Sequence, residues 1–147
     1  MCLTMSWNKE KYEREVTAYK KRLKLYPYAW KIIYVCPCTG NLFSQYALME
    51  FKTNTWGRWL KSSRIDRTWT NTERYDRQVR HGFHVYTSRE AARKTIEGHN
   101  ERVVKVKVDP KTFVAIGRAN GNGQLSSSAV FDKIMYLRDQ KPKIRRK

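Results

Sequence analysis

Apolar side chains recur at helical spacing near the beginning of the chain. A helix over residues 7–25 would carry apolar side chains on one face at i, i+4, i+7 and i+11. They are Tyr12, Val16, Tyr19 and Leu23, with lysine and arginine at 20–22 and 24 around them. The pattern predicts an amphipathic helix that stops before Pro27, because the residue that precedes a proline avoids the helical conformation.

Two segments further along are rich in β-branched and aromatic side chains, which is typical of strands. Residues 30–35 predict a buried strand, and the Pro and Gly in residues 36–41 predict a loop after it. Residues 82–86 predict a second strand. Thr87 and Glu90 then have the spacing of a capping box, which predicts a short helix through Ala91, Ala92 and Ile96 that ends at Gly98.

Residues 102–108 alternate between apolar and polar positions. Val104, Val106 and Val108 share one face of the predicted strand, and Lys105 and Lys107 share the other. This segment is predicted to be half-buried, with a basic outer face. After a turn at 109–110, we expect an apolar segment at 113–116, a glycine-bearing loop at 117–123 and a last strand at 129–137.

Together these elements predict an α+β fold. We expect one domain over residues 1–140, with the N-terminal amphipathic helix and the short helix packed on a mainly antiparallel sheet, and a basic tail over 141–147. A chain of 147 residues suits a single core. Residues 42–79 follow neither period, and long irregular segments inside a domain usually carry function or are mobile.

The net charge is the feature of the composition that says most about a binding partner. The chain has 31 Lys and Arg against 13 Asp and Glu, a net charge of +18. So much like charge repels itself unless a polyanion neutralises it, and nucleic acid is the commonest such partner. Basic side chains neutralise phosphates and aromatic rings stack on bases. The predicted nucleic-acid-binding residues are Trp56, Arg58, Trp59, Lys61, Arg64, Arg67, Trp69, Arg74, Arg77, Arg80, Lys105, Lys107, Arg118, Lys141, Lys143, Arg145, Arg146 and Lys147. The alternative is that the tryptophans belong to the core and the arginines to a solvated face.

Other candidate sites are weaker. Alternation places His84 and Tyr86 on one face of their strand, where they could line a cleft as catalytic residues; a simple hydrogen-bonded histidine is the alternative. The loop at 117–123 lacks the Lys-Ser/Thr of a P-loop, so a hairpin loop is expected there. The remaining group, Cys36, Cys38, His81 and His84, does not have the usual spacing of a structural zinc site. We predict no metal and no cofactor, and reduced thiols.

Three segments carry a resemblance to a known group of proteins. The opening Met1-Cys2-Leu3-Thr4, the strand at 82–86 with its Ala-rich helix, and the ending from 113–117 to 129–131 resemble small accessory proteins encoded by tailed bacteriophages. The resemblance implies a viral protein of the host cytoplasm, of poorly defined biochemistry, that disarms a host pathway or assists takeover of the cell. It covers the two ends of the chain better than the middle.

The order of strand, helix, Val-rich strand and final strand is also similar to ADP-ribosyltransferase-type folds, in which His and Tyr on strands contact the nicotinamide dinucleotide. Those enzymes place a glutamate late in the chain, where this sequence has Asp132 beside Phe131. This resemblance would imply an enzyme, whereas the charge pattern favours a binding protein.

Three functions therefore remain open. The first is non-enzymatic binding of nucleic acid, with RNA or single strands favoured because the chain is rich in aromatic residues and has no helix-turn-helix or zinc-finger signature. The second is a nucleotide-binding protein or enzyme with His84, Tyr86 and Arg118 in its pocket. The third is a basic protein that inhibits an acidic host protein. No run approaches the ~20 apolar residues of a membrane span, so we expect no membrane partner and a cytoplasmic location.

Overall fold

Antiparallel strands dominate the computed structural model, which describes residues 3–6, 8–44, 55–61, 78–79, 82–96, 98–121 and 124–142. The strands are β1 (Leu3–Thr4), β2 (Tyr28–Val35), β3 (Leu42–Ser44), β4 (Trp59–Lys61), β5 (Gln78–Val79), β6 (Phe83–Tyr86), β7 (Glu101–Val108), β8 (Phe113–Gly121), β9 (Gln124–Phe131) and β10 (Lys133–Tyr136). They form a ten-stranded sheet in the order β4-β10-β7-β2-β6-β9-β8-β1-β5, and β3 also pairs with β2. With the two helices of the described chain, this is the predicted α+β fold, although sheet contributes more than helix.

The first helix, α1 (Lys9–Leu25), follows the predicted apolar spacing. Its first turn is capped by Asn8, whose side-chain oxygen accepts a hydrogen bond from the Lys11 N–H at 3.0 Å. The helix ends where the Tyr26 N–H donates to the Arg22 carbonyl, one residue before Pro27. Tyr19 and Leu23 are buried, and the two preceding apolar positions are partly buried against the same core.

The second helix, α2 (Arg89–Arg93), is shorter than predicted and has a different cap. Ser88 accepts the hydrogen bond of the Ala91 N–H at 3.1 Å, so Ser88 caps the helix and the expected capping box with Thr87 is wrong. Thr87 instead donates to the Ser127 hydroxyl on β9 at 2.7 Å. The chain leaves the helix at Lys94, well before Gly98.

The main core lies between α1 and one face of the sheet. It contains Tyr19, Leu23, Ala29, Ile33, Leu42, Trp56, Val85, Val104, Val106, Val108, Ile116, Ala129, Phe131, Ile134 and Tyr136. Tyr19 packs on the rings of Phe113 and Phe131, with centroids 5.9 and 6.3 Å apart. Burial of each large apolar side chain contributes roughly 1.5–3 kcal/mol, so this cluster holds α1 on the sheet.

A smaller core lies on the opposite face, beneath α2. Ile32, Tyr86, Ala91 and Ala92 form it, with Trp30, Ile96 and Val103 packed at its edge. The strands at the centre of the sheet are therefore covered on both faces. No helix in the described part of the chain is long and apolar enough to cross a membrane.

The predicted glycine-bearing loop at 117–123 is wrong for residues 117–121, which belong to β8. β8 continues through Gly121, and Gly117 pairs with Ser128 inside the β8–β9 hairpin. Position 117 needs glycine because a Cβ there would collide with the Thr4 carbonyl oxygen of β1. The loop therefore offers no backbone cradle at Gly117.

The last strand is also divided, which the sequence did not predict. β9 ends at Phe131, and the Asp132 N–H donates to the Thr112 carbonyl at 3.0 Å. β10 then starts at Lys133 and pairs with β7 and β4 instead of β8 and β6. This change of partners brings residues 133–136 beside the lysines of β7.

Candidate nucleic-acid interface

Neighbouring strands β2, β7, β10 and β4 align aromatic and lysine side chains in register. Tyr28 is opposite Lys107, Lys107 is opposite Met135, and Met135 is opposite Trp59. Adjacent register pairs are Trp30 with Lys105, and Lys133 with Lys61. Directly opposed residues in antiparallel strands lie on the same face of the sheet. These positions therefore share one surface.

We call this surface the aromatic–lysine face. It consists of Tyr26, Tyr28, Trp30, Trp59, Lys61, Lys105, Lys107, Lys133 and Met135. It looks away from α1, because the alternate positions of the same strands, such as Val106, Ala29 and Ile134, belong to the core under α1. All residues of the face are exposed or partly buried, and none of them is acidic.

The rings at one end of the face form a cluster that holds a lysine. The Tyr26 ring lies 4.8 Å from that of Tyr28 and stacks on Trp30 with centroids 6.2 Å apart. The Lys105 Nζ lies 5.2 Å from the Tyr26 centroid and 5.1 Å from the Tyr28 centroid. An ammonium at this distance from a ring face is attracted by the π electrons. The contacts fix the ring cluster and a positive charge in one place.

At the other end, Trp59 is paired with a lysine in the same way. The Lys133 Nζ lies 5.6 Å from the Trp59 ring centroid, and the indole is 37 % exposed. Lys61, the next residue of β4 on this face, is exposed. Each end of the face thus combines an accessible ring with an ammonium group.

The structure brings together part of the predicted binding set. Trp59, Lys61, Lys105 and Lys107 lie on the aromatic–lysine face, and Arg58 is exposed in the turn just before Trp59. Lys141 is exposed after the 3₁₀ turn that follows β10. Arg118 is exposed on β8, away from this face, and is discussed below.

Trp56 was predicted to bind nucleic acid, but it is a core residue. It is 6 % exposed and meets the Tyr136 ring edge-on, with centroids 5.5 Å apart. Base stacking needs an accessible ring face, so Trp56 does not supply it. The other predicted residues, Arg64, Arg67, Trp69, Arg74, Arg77, Arg80, Lys143, Arg145, Arg146 and Lys147, lie outside the described residues, as does His81.

Five members of the face were not predicted from the sequence: Tyr26, Tyr28, Trp30, Lys133 and Met135. The alternation Tyr28-Ala29-Trp30 was a usable signal, since it separates large rings from a small buried residue. It was hidden because the predicted strand began at residue 30 and was treated as buried on both faces. Lys133 had no local signal, since its place depends on the break at Asp132.

His84 and Tyr86 are both buried, which fits the alternative of a hydrogen-bonded histidine and gives no support to a catalytic cleft at these residues. Tyr86 is 1 % exposed in the core under α2, and its hydroxyl accepts a hydrogen bond from Thr95 at 3.1 Å. His84 is buried, with its Nδ1 3.3 Å from the Gly82 carbonyl oxygen. Both faces of the central strand β6 are covered, which explains why alternation alone did not identify an open side.

Lys31 is a charged residue on the core face of β2. Its register places it on the same face of β2 as Ala29 and Ile33, and its Nζ donates to the His84 carbonyl at 2.8 Å. Burial disfavours the charged form and lowers the pKa of Lys31 to about 8. This partly buried group therefore lies on the core side of the sheet and not on the aromatic–lysine face.

The described side chains contain no group of three or more His, Cys, Asp or Glu able to hold a metal ion.

Comparison with known proteins does not assign the chain to a family: no family model matches it, and neither does any curated protein or solved structure. The resemblances to phage accessory proteins and to ADP-ribosyltransferase-type folds therefore stay predictions. The geometry of the aromatic–lysine face is the strongest basis for a function.

Proposed function

We propose that this protein binds single-stranded nucleic acid, RNA in preference to DNA, on the aromatic–lysine face. The observation that carries the proposal is the register row of Tyr28, Lys107, Met135 and Trp59 across four adjacent strands. It places two rings, an ammonium group and a thioether side by side on the face of the sheet opposite α1, next to the core under α2. Single-strand-binding surfaces combine these two groups, aromatic planes for bases and positive charges for the backbone.

The dimensions of the face suit a short stretch of nucleotides. β2 and β4 are separated by three strand spacings of about 4.8 Å, or roughly 14 Å. RNA-binding domains with an open four-stranded sheet stack two or three bases on aromatic side chains across a similar width. The Tyr26–Tyr28–Trp30 cluster would take one base and Trp59 another, each stack contributing about 1–3 kcal/mol.

The lysines between and beside the rings would neutralise the phosphates of the same strand. If Lys61, Lys105, Lys107 and Lys133 each neutralise one phosphate, log affinity should fall against log salt with a slope of roughly −3 on a single strand. A base pair buries the base faces in the duplex stack, so stacking of this kind requires unpaired bases. The hydroxyls of Tyr26 and Tyr28 are hydrogen-bonding groups for the ribose 2′-OH, which supports RNA over DNA.

The test is binding of labelled single-stranded RNA, single-stranded DNA and duplex DNA, measured by fluorescence anisotropy over a salt series. Trp59→Ala should weaken binding to single strands by roughly 5- to 150-fold, the equivalent of one lost stack. Lys107→Gln should reduce the magnitude of the salt slope by about 0.7. Both side chains lie on the surface, so the urea midpoint of each variant should stay close to that of the wild type.

Lys20→Gln is the matched control. Lys20 is an exposed lysine on α1, on the other side of the sheet, so its loss should leave the salt slope nearly unchanged. The proposal fails if Trp59→Ala binds RNA as tightly as the wild type. It also fails if Lys107→Gln and Lys20→Gln have equal effects, since affinity would then follow total charge and not this face.

A further inference from the structure

A groove of about 630 Å³ lies between part of α1 and the β1–β8–β9 part of the sheet. It lies across β6 from β2, outside the four strands that carry the aromatic–lysine face. Its size is within the range of small-molecule sites, which are usually about 300–1,000 Å³. The groove is therefore a second candidate site, built from different residues.

One wall of the groove is a register row of polar side chains. Thr4 of β1 is opposite Arg118 of β8, and Arg118 is opposite Ser127 of β9. The row can form because Gly117 lets β1 approach β8 closely. Arg118 is exposed at the centre of this row, although the neighbouring residues of β8 are buried.

Hydrogen bonds join this wall to the helix. The Thr87 hydroxyl donates to Ser127 Oγ at 2.7 Å, and Arg22 Nη2 donates to the Thr87 carbonyl at 2.6 Å. Arg22 lies in the last turns of α1, so its bond links the helix to the end of β6. The groove is thus held in shape by contacts between three separate parts of the chain.

The charge of the lining favours an anion. Lys11, Arg22 and Arg118 line the groove with positive charge, and Glu15 is its acidic member. Met5, Ile116 and Leu125 contribute apolar surface beside these groups. Arginine is well suited to phosphate because its planar guanidinium can donate two parallel hydrogen bonds.

Tyr19 adds a hydrogen-bonding group without a partner. The side chain lines the groove and is 5 % exposed, and its hydroxyl makes no hydrogen bond to any described residue. Burial raises the pKa of this phenol, so the hydroxyl keeps its proton. Buried polar groups are nearly always paired in native structures, so this hydroxyl leaves a hydrogen-bonding position unfilled in the wall of the groove.

We infer that the groove binds a small phosphate-bearing ligand of the nucleotide class. Arg118 and Lys11 would contact the phosphate, and the apolar side chains near Leu125 would contact the rest of the ligand. The inference does not depend on the aromatic–lysine face. A free nucleotide and the phosphorylated end of a nucleic-acid strand share this chemistry, and the experiment separates them.

The test uses the full chain in thermal-shift and calorimetric titrations with pyrophosphate, AMP and adenosine. AMP should raise the melting temperature, and adenosine should raise it much less, because the phosphate supplies the charged contacts. Arg118→Gln and Lys11→Gln should each weaken AMP binding about tenfold or more, the loss of one hydrogen bond to a charged group. Both residues are exposed, so these variants should fold normally.

Lys24→Gln is the charge-matched control, since Lys24 is an exposed residue of α1 that does not line the groove. Equal weakening by Lys24→Gln would overturn the inference, as would equal binding of adenosine and AMP or no response to pyrophosphate and AMP. Trp59→Ala should leave AMP binding unchanged, so failure here is distinguishable from failure of the proposed RNA binding. Stronger binding of a 5′-phosphorylated than an unphosphorylated oligonucleotide, lost in Arg118→Gln, would assign the groove to a strand end.

Discussion

Replacement of Lys31 by methionine should stabilise the protein at neutral pH. Lys31 is partly buried on the core face of β2, and its pKa is lowered to about 8 by burial from an ordinary value of 10.5. Keeping this lysine charged in the folded state therefore costs up to roughly 3 kcal/mol at 1.36 kcal/mol per pKa unit. Methionine removes that cost but also the Nζ hydrogen bond to the His84 carbonyl, which contributes about 1 kcal/mol. A net gain of roughly 1–2 kcal/mol is expected at pH 7.

The advantage of Lys31→Met should disappear as the pH rises. In the unfolded chain Lys31 holds its proton up to about pH 10.5, whereas the folded protein releases it near pH 8. Between these values the unfolded state binds more protons, so the wild type gains stability with increasing pH. Near pH 10.5 the difference between the two proteins should have shrunk or reversed, since methionine still lacks the hydrogen bond.

Urea unfolding, followed by tryptophan fluorescence at about pH 7, 9 and 10.5, measures this difference. The exposed Lys24→Met is the control and should change the free energy of unfolding by less than about 0.5 kcal/mol at neutral pH. A Lys31→Met protein that is less stable than the wild type by the same amount at every pH would refute the reasoning. Lys31 would then stabilise the fold through its contacts, without a cost of charge burial.

Two further substitutions test the packing. Trp56→Ala should destabilise the fold by about 3–5 kcal/mol, because it leaves a cavity against Tyr136. Chemical denaturation measures this loss, and unchanged stability would mean that Trp56 is not a core residue. Gly117→Ala should destabilise the fold by about 1–3 kcal/mol or more, because the added methyl group meets the Thr4 carbonyl. Hydrogen exchange should then show early opening of β1. Protection of β1 equal to that of the wild type would argue against the close approach of β1 and β8.

Local patterns predicted the elements whose periodicity is regular. In α1 the buried positions Tyr19 and Leu23 match the predicted face, because a single helical period relates residues a few positions apart. In β7 the buried valines and the partly exposed Lys105 and Lys107 match the predicted alternation for the same reason. Both patterns depend only on backbone geometry within one segment.

The tryptophans show that patterns within one segment do not predict which rings are buried. Trp56 and Trp59 are three residues apart in the same basic, aromatic segment, yet one is buried against Tyr136 and the other is exposed beside Lys133. Their partners lie more than 70 residues further along the chain. No property of residues 55–61 alone distinguishes a core ring from a surface ring. The burial of His84 and Tyr86 could not be predicted locally either, because it depends on how α1 and α2 cover the two faces of β6.

By itself the sequence determined an α+β chain with one regular helix, a valine and lysine strand, and a charge of +18, from which an anionic partner is predicted. These follow from composition and from periods within a segment. Only the tertiary structure decided that Tyr28, Lys107, Met135 and Trp59 form one row, and that Thr4, Arg118 and Ser127 form another. Strand register joins residues far apart in the chain, and it is set by the burial of both sheet faces together. Both candidate sites are therefore products of pairing that no local pattern encodes.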